Sequence, residues 1–139
     1  MSYEERIAVH YSHRINFKFT DLTDTVGLTK TILLTPSMAD FGCRKAAVRV
    51  KTAGVGTTTL TLKVGDGGVV DRFMTAADLM ATAGTWVALT YATEPFLYPS
   101  ATADTVDALF TATVTNLSTL TAGEWDLYLD LVDMSKMKS

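Results

Sequence analysis

The chain has 139 residues and a formal net charge of -3. This length suffices for one domain with its own hydrophobic core, and the presence of a single cysteine excludes a disulfide scaffold. The mild acidity argues against a nucleic-acid-binding protein, which normally carries a basic patch, so no nucleic-acid partner is predicted.

The N-terminal segment lacks the features of a signal peptide. Glu4 and Glu5 stand where such a peptide would carry basic residues, and no apolar stretch follows them. The longest aliphatic run, at 32–34, is far shorter than the roughly 20 residues that span a bilayer. The sequence therefore predicts synthesis in a cytoplasm and no membrane partner, which leaves open a later location on a virus particle.

Apolar and polar residues alternate in several stretches, which is the pattern of half-buried strands. Threonine is β-branched and favours strands, and the chain contains 23 of them. The alternation, together with the turn residues between the runs, predicts about nine strands in one domain. The clearest runs, in chain order, are Ile15–Phe19, Ile32–Leu34, Lys45–Lys51, Thr59–Val64, Gly84–Leu89, Phe96–Leu97, Thr105–Thr115 and Glu124–Leu131.

One segment, Thr75–Met80, has the pattern of a short helix. Thr75 is a candidate N-cap, and the acidic Asp78 falls in the first turn. No strand is followed by a long helix, so the fold class is predicted to be all-β. An antiparallel two-sheet sandwich, a jelly roll and a small barrel all fit, with at most one short helix near 75–81. We expect an N-terminal arm at 1–12, a β-sandwich domain at 13–134 and a tail at 135–139.

The sequence contains no recognisable catalytic set. His10 and His13 are the only histidines, and on a strand they would point to opposite faces, which favours surface histidines over a metal site. Asp126 and Asp130 share one face of a predicted strand, and paired carboxylates occur in glycosidases and calcium sites. The alternating core residues of that strand favour a solvent-facing role for both. No enzyme, metal site or cofactor is predicted.

Two groups of side chains are candidates for binding. Trp86 and three later aromatics, at 91, 96 and 98, form either a platform that binds sugar or part of the core or of a subunit contact. The second interpretation is favoured. Four cations group on a second segment, where three share the outward face of one strand. This group either meets an acidic partner or protects an edge strand from pairing, and both interpretations stay open. Its members are Arg44, Lys45, Arg49 and Lys51.

Three stretches of the chain have a familiar texture of Thr/Ala-rich strands and an aromatic residue before an alternating Asp/Leu strand. They are GTWVAL at 84–89, ATADTVDALFTATV at 101–114 and LTAGEWDLYLDLV at 120–132. This texture resembles small structural proteins of tailed bacteriophages, in particular head decoration (cement) proteins with a jelly-roll-like fold. The resemblance implies a homotrimer on threefold axes of a capsid, where it binds the major capsid protein after the shell expands.

The sequence thus predicts a virion structural protein on the capsid surface that stabilises the assembled shell. The alternative is a β-sandwich module that binds carbohydrate or belongs to a tail or fibre. The arm is expected to order on the capsid or to add a strand to a neighbouring sheet. Predicted partner contacts are Tyr3, Arg6, His10, Arg44, Lys45, Arg49 and Lys51. Predicted oligomer contacts, chosen because each interrupts a polar face, are Leu89, Leu109, Tyr128 and Val132.

Overall fold

The computed structural model describes residues 11–39, 41–98 and 103–133, with the side chains of 88–98 and 132–133 not described. Two short 3-10 turns, Phe19–Asp21 and Leu117–Thr119, accompany the strands. The strands are β1 His13–Lys18, β2 Thr29–Leu33, β3 Phe41–Val55, β4 Thr59–Gly65, β5 Met74–Asp78, β6 Trp86–Tyr98, β7 Asp107–Thr113 and β8 Ala122–Asp133.

Each strand of the first half pairs antiparallel with one of the second half: β1 with β8, β2 with β7, β3 with β6 and β4 with β5. The chain is therefore one long hairpin whose pairs alternate between two sheets. The first sheet has the order β1-β8-β3-β6, and the second has the order β2-β7-β4-β5. This connectivity is that of a jelly roll, and the prediction of an all-β, jelly-roll-like sandwich is confirmed.

The core lies between the two sheets and is built from the residues that alternate inward. Phe17 of the first sheet meets Phe110 of the second edge to face, with ring centroids 5.1 Å apart. Trp125 is fully buried beside them, and its indole N–H donates to the Leu79 carbonyl at 2.8 Å. The apolar residues that alternate with Asp126 and Asp130 along the predicted last strand include Trp125 and Leu127, and neither has exposed surface, so the predicted core face of that strand is confirmed.

The helix predicted at Thr75–Met80 does not form. The segment is the edge strand β5, which pairs antiparallel with β4 and places Ala77 opposite Leu62. Pairing satisfies the backbone groups that face β4 and buries Ala77, a gain that outweighs the weak local preference for a helical turn. Asp78 does cap a turn, but as the acceptor for the Met80 N–H after the strand has ended. Within the described ranges, no helix is long and apolar enough to cross a membrane.

Two other strands differ from their predicted extents. The separate strands expected near 84–89 and 96–97 form one continuous strand, β6. The strand predicted around Lys45–Lys51 is the 15-residue β3, which lies between β8 and β6. The interpretation of this segment as an edge strand guarded by charge is therefore wrong, because both of its edges are paired.

Candidate functional site

The outward side of the first sheet carries an unusual density of charge. We call this surface the charged face: the outward side chains of β1, β8 and β3, with Trp86 at the start of β6. Its described members include six of the chain's 12 basic residues but only three of its 15 acidic residues. These charged residues are Arg14, Lys18, Arg44, Lys45, Arg49, Lys51, Glu124, Asp126 and Asp130.

Two carboxylates of this face are buried, although they were predicted to face solvent. Asp126 and Asp130 are 2% and 4% exposed. They do point away from the core, but long cationic side chains from the neighbouring strands cover them. The prediction of a solvated carboxylate face is thus wrong, because a strand in the middle of a sheet is shielded by side chains on both sides.

Each buried carboxylate is matched by its own cation. The Arg14 guanidinium lies 3.2 Å from Asp126, and the Asn16 amide donates to the same carboxylate at 2.8 Å. On the other side of β8, Arg44 binds Asp130 at 2.9 Å. Such pairing keeps the carboxylates charged, since an unpaired buried charge would cost several kcal/mol.

Glu124 completes the acidic row at the more exposed end of β8. The Asn16 side-chain amide donates to it at 3.0 Å, and Lys51 Nζ lies 3.5 Å away. The hydrogen bond from Asn16, with Lys51 and Lys18 adding favourable charge, holds the pKa of Glu124 below its ordinary value. The carboxylate is therefore ionised throughout the neutral range.

A row of aromatic rings and cations crosses the charged face. Tyr128 lies between Tyr11, at a centroid distance of 5.7 Å, and Trp86, at 5.2 Å. Lys45 Nζ sits 5.3 Å from the centre of the Tyr11 ring, and the Arg49 guanidinium sits 6.0 Å from that of Trp86. Both distances suit cation–π attraction. The row thus ends in a cation on each side.

Trp86 retains an unused hydrogen-bond donor. Its indole nitrogen is buried and has no acceptor among the described residues, whereas the indole of Trp125 is paired. A buried N–H without a partner costs free energy unless something supplies an oxygen. An incoming hydrogen-bond acceptor would therefore gain the most binding free energy on this face at the half-buried Trp86 side chain.

The four predicted cations of β3 lie on one surface. Alternation predicted this for Lys45, Arg49 and Lys51, whereas Arg44 joins them at a register shift between Cys43 and Lys45. Each of the four has a partner within the chain: Arg44 and Lys51 form ion pairs, while Lys45 and Arg49 stack on aromatic rings. Sequence reasoning missed Arg14 on β1, which lies on the other side of β8 from β3. The signal that would have found it is the period-two alternation of polar residues along His13–Lys18.

The remaining predicted contacts are distributed elsewhere. Tyr3, Arg6 and His10 lie outside the described residues. Leu89 and Val132 belong to β6 and β8, but their side chains are not described. Tyr128 is only 7% exposed, so its contacts with Tyr11 and Trp86 occupy most of its surface. Leu109 points outward from the second sheet, on the opposite side of the sandwich.

The end of the predicted arm already belongs to the domain. Ser12 Oγ donates to the Leu129 carbonyl at 3.2 Å and accepts from the Leu131 N–H at 2.8 Å. Together with the Tyr11–Tyr128 contact, these bonds attach residues 11–12 to β8. The domain therefore begins at least two residues before the predicted position 13.

The arrangement does not support carboxylate catalysis. Asp126 and Asp130 are four residues apart on a strand, which separates them by about 13 Å, whereas glycosidase carboxyl pairs lie roughly 5–9.5 Å apart. Among the described residues, no group of three or more His, Cys, Asp or Glu could hold a metal ion. His13 is exposed and its ring nitrogen contacts only its neighbour Ser12 at 2.7 Å in the described hydrogen-bond network.

One cleft next to the described strands also lacks a reactive group. It has a volume of about 300 Å³ and lies beside His13, Met38 and Phe41. Its Thr35 hydroxyl already accepts from the Val106 N–H at 3.0 Å. Cys43 is buried, and burial raises the pKa of its thiol to about 12, so it is unsuited to act as a nucleophile at neutral pH.

Comparison with protein-family models finds no match, and searches of curated proteins and of solved structures find no significantly similar protein. The jelly-roll connectivity and the charged face therefore carry the functional argument.

Proposed function

We propose that this protein is a non-catalytic structural protein that docks through its charged face on an acidic protein surface. The observation that carries this proposal is the cation excess of that face, six basic residues against three acidic ones, on a chain whose net charge is -3. Such an asymmetry orients a protein during encounter with a negatively charged partner and raises the rate of association.

The side chains of the charged face are those from which protein interfaces are built. Trp, Tyr and Arg dominate binding energy at interfaces, and Trp86, Tyr11 and Arg49 lie together here. The intramolecular ion pairs hold Arg14, Arg44 and Lys51 in fixed positions, which reduces the entropy lost when a partner binds.

We propose further that the partner is the major capsid protein in the assembled head of a tailed phage. The support is the sequence resemblance to decoration proteins, together with a jelly-roll fold of the kind that viral capsid domains use. A decoration protein needs no chemistry: it stabilises a shell because it binds the assembled form and not the free subunit. The trimer implied by the resemblance remains a prediction.

The test measures binding to expanded shells assembled from the major capsid protein of the same genome. Co-sedimentation with the shells should be lost or weakened at least tenfold in Arg49→Glu, because this change reverses a charge that forms no ion pair with a described acid. Lys63→Glu is the matched control and should bind normally, because it reverses an outward charge of the second sheet that likewise forms no ion pair with a described residue. Equal binding of both variants would contradict docking through the charged face.

A second function, carbohydrate binding, is favoured by one observation, the unpaired indole N–H of the half-buried Trp86. A sugar hydroxyl would supply the missing acceptor, and the C–H face of the sugar would stack on the indole ring. Retardation in glycan affinity gels that is lost in Trp86→Phe, which keeps an aromatic ring but removes the donor, would favour this function. No retardation, together with shell binding, would exclude it in favour of the structural role.

The N-terminal arm is proposed to contribute to the same docking. β1 is an edge strand of the first sheet and follows the arm directly, and a free edge can accept a further strand. Tyr3, Arg6 and His10 are the arm residues predicted to contact the shell. Deletion of 1–10 should weaken shell binding and leave the thermal unfolding temperature unchanged, because Tyr11 and Ser12 remain attached to β8. Unchanged binding would rule out the arm.

A further inference from the structure

The outward side of the second sheet contrasts with the charged face. We call it the neutral face: the outward side chains of β2, β7, β4 and β5. Among its described members only Lys63, Asp107 and Asp78 carry charge, and most of the others are threonine. The uncharged members are Thr29, Thr31, Leu33, Thr59, Thr61, Ala76, Leu109, Thr111 and Thr113.

Leu109 lies at the centre of this face, on the inner strand β7. It pairs with Thr31 of β2 on one side and with Lys63 of β4 on the other. One step along β7, Asp107 pairs with Leu33, which is 63% exposed. The neutral face thus offers two outward leucines with one cation and one anion beside them.

The two charges are arranged around Leu109 along two different directions. Lys63 is its neighbour across the sheet, at the interstrand spacing of about 4.8 Å. Asp107 is its neighbour along the strand, two residues away at about 6.8 Å. Lys63 forms no ion pair with any described residue. The distances from Leu109 to Lys63 and to Asp107 differ by only about 2 Å. A rotation that exchanges the two directions therefore brings each charged residue close to the position of the other.

This arrangement is self-complementary. A twofold axis parallel to the sheet, just outside Leu109 and along the bisector of these two directions, places Leu109 on Leu109 of a second copy. The same rotation sets Lys63 opposite Asp107 of the second copy, and Asp107 opposite its Lys63. Leu33 then meets Thr61 of the second copy. Each contact away from the axis occurs twice, as a twofold interface requires.

We propose that the neutral face packs against the neutral face of a second copy of this chain, with Leu109 at the twofold axis. The strands of the two copies cross at close to a right angle, which is one of the two established ways for sheets to pack. A second copy fits better than a foreign acidic partner because the face carries both signs of charge in mutually matching positions.

The proposed contact does not depend on the proposed function. The neutral and charged faces lie on opposite sides of the sandwich, so both charged faces of such a dimer remain exposed. The contact also differs from the trimer that the sequence resemblance implies, and the mass in solution separates the two arrangements.

Sedimentation equilibrium of the full chain, at concentrations up to about 1 mM, tests the contact. We expect a mass that rises to about 30 kDa, twice the 15.0 kDa of one chain. A mass that stays at 15.0 kDa, or one of about 45 kDa, would overturn the proposal. Arg49→Glu on the charged face is the control and should dimerise normally, whatever it does to shell binding.

Charge exchange provides the sharper test, because all variants keep an outward polar residue and should fold. Lys63→Asp alone and Asp107→Lys alone each place like charges opposite each other at both symmetric contacts, so each variant should be monomeric. An equimolar mixture of the two variants restores opposite charges at both contacts and should dimerise again. A mixture that remains monomeric, or single variants that dimerise like the parent chain, would refute the twofold arrangement.

Discussion

Two nitrogens of Arg44 contact the same carboxylate oxygen of Asp130: Nε lies 3.0 Å and Nη2 lies 2.9 Å from Oδ2. The two residues sit on neighbouring strands, β3 and β8, and differ greatly in exposure. The side chain of Arg44 is 52% exposed and that of Asp130 is 6% exposed. The pair therefore joins a solvated cation to a carboxylate that has little access to water.

This asymmetry predicts unequal effects of removing either partner. Arg44→Ala leaves a buried carboxylate without its cation and should lower the free energy of unfolding by about 2 kcal/mol. Asp130→Asn leaves an exposed guanidinium that water can solvate and should cost about 1 kcal/mol or less. Urea denaturation of both variants measures the difference. Equal losses would show that exposure does not decide the strength of this pair.

Arg14→Ala is the matched control for Arg44→Ala, because Arg14 also pairs with a buried carboxylate. Asp126 keeps the Asn16 amide at 2.8 Å and Lys51 at 3.9 Å when Arg14 is removed. The destabilisation should therefore be smaller than in Arg44→Ala. A larger loss in Arg14→Ala would contradict this explanation.

Glu124 should make the stability of the domain depend on acid. The Asn16 hydrogen bond lowers its pKa in the folded state below the ordinary value of 4.5. Its contribution to stability is thus fully present above pH 4.5 and disappears as the pH falls through the folded-state pKa. In Glu124→Gln this acid-dependent part should be missing, as measured by urea denaturation across the acidic range. An NMR titration should show that Asn16→Ala raises the pKa of Glu124; an unchanged pKa would exclude Asn16 as its cause.

Cys43 should react slowly with thiol reagents in the native protein. Burial raises the pKa of its thiol to about 12, and its S–H donates to the Lys45 carbonyl at 3.3 Å. At pH 8 the folded protein therefore contains almost no thiolate, whereas the unfolded chain has the ordinary thiol pKa of about 8.5. Labelling with a disulfide reagent should be at least a hundredfold faster in denaturant. Comparable rates would mean that the thiol is accessible.

Because folding raises the pKa of Cys43, the contribution of this residue to stability depends on pH in the opposite direction to that of Glu124. The contribution of the protonated thiol is present below the unfolded-state pKa and is lost as the pH rises toward about 12. The stability difference between the parent chain and Cys43→Ala should therefore shrink above pH 9.

Val114 holds a strained turn at the end of β7. Its φ is 72°, which is unfavourable for a β-branched residue, and the Thr115 N–H bonds to the Thr113 carbonyl across it at 2.9 Å. The side chain is 78% exposed and has little packing to lose. Val114→Asn should therefore stabilise the domain by about 1 kcal/mol, as measured by urea denaturation. The similarly exposed Val26 is the control, and Val26→Asn should have almost no effect.

Part of the candidate site followed from alternation alone. The outward grouping of Lys45, Arg49 and Lys51 was predictable because side chains on a strand point alternately to its two faces. The covering of Asp126 was not, because its partner Arg14 lies 112 residues away in sequence. Local periodicity carries no information about which strand lies alongside.

The sequence by itself determined that the chain is all-β and which residues of its last strand face the core, as Trp125 and Leu127 illustrate. These properties depend on the period-two geometry of a single strand and on the burial of apolar surface. Only the tertiary structure decided the jelly-roll order of the strands, the extended form of Thr75–Asp78 and the burial of Asp126 and Asp130. Each of these depends on backbone pairing and charge pairing between segments that are distant in the chain, and such pairing outweighs local preference.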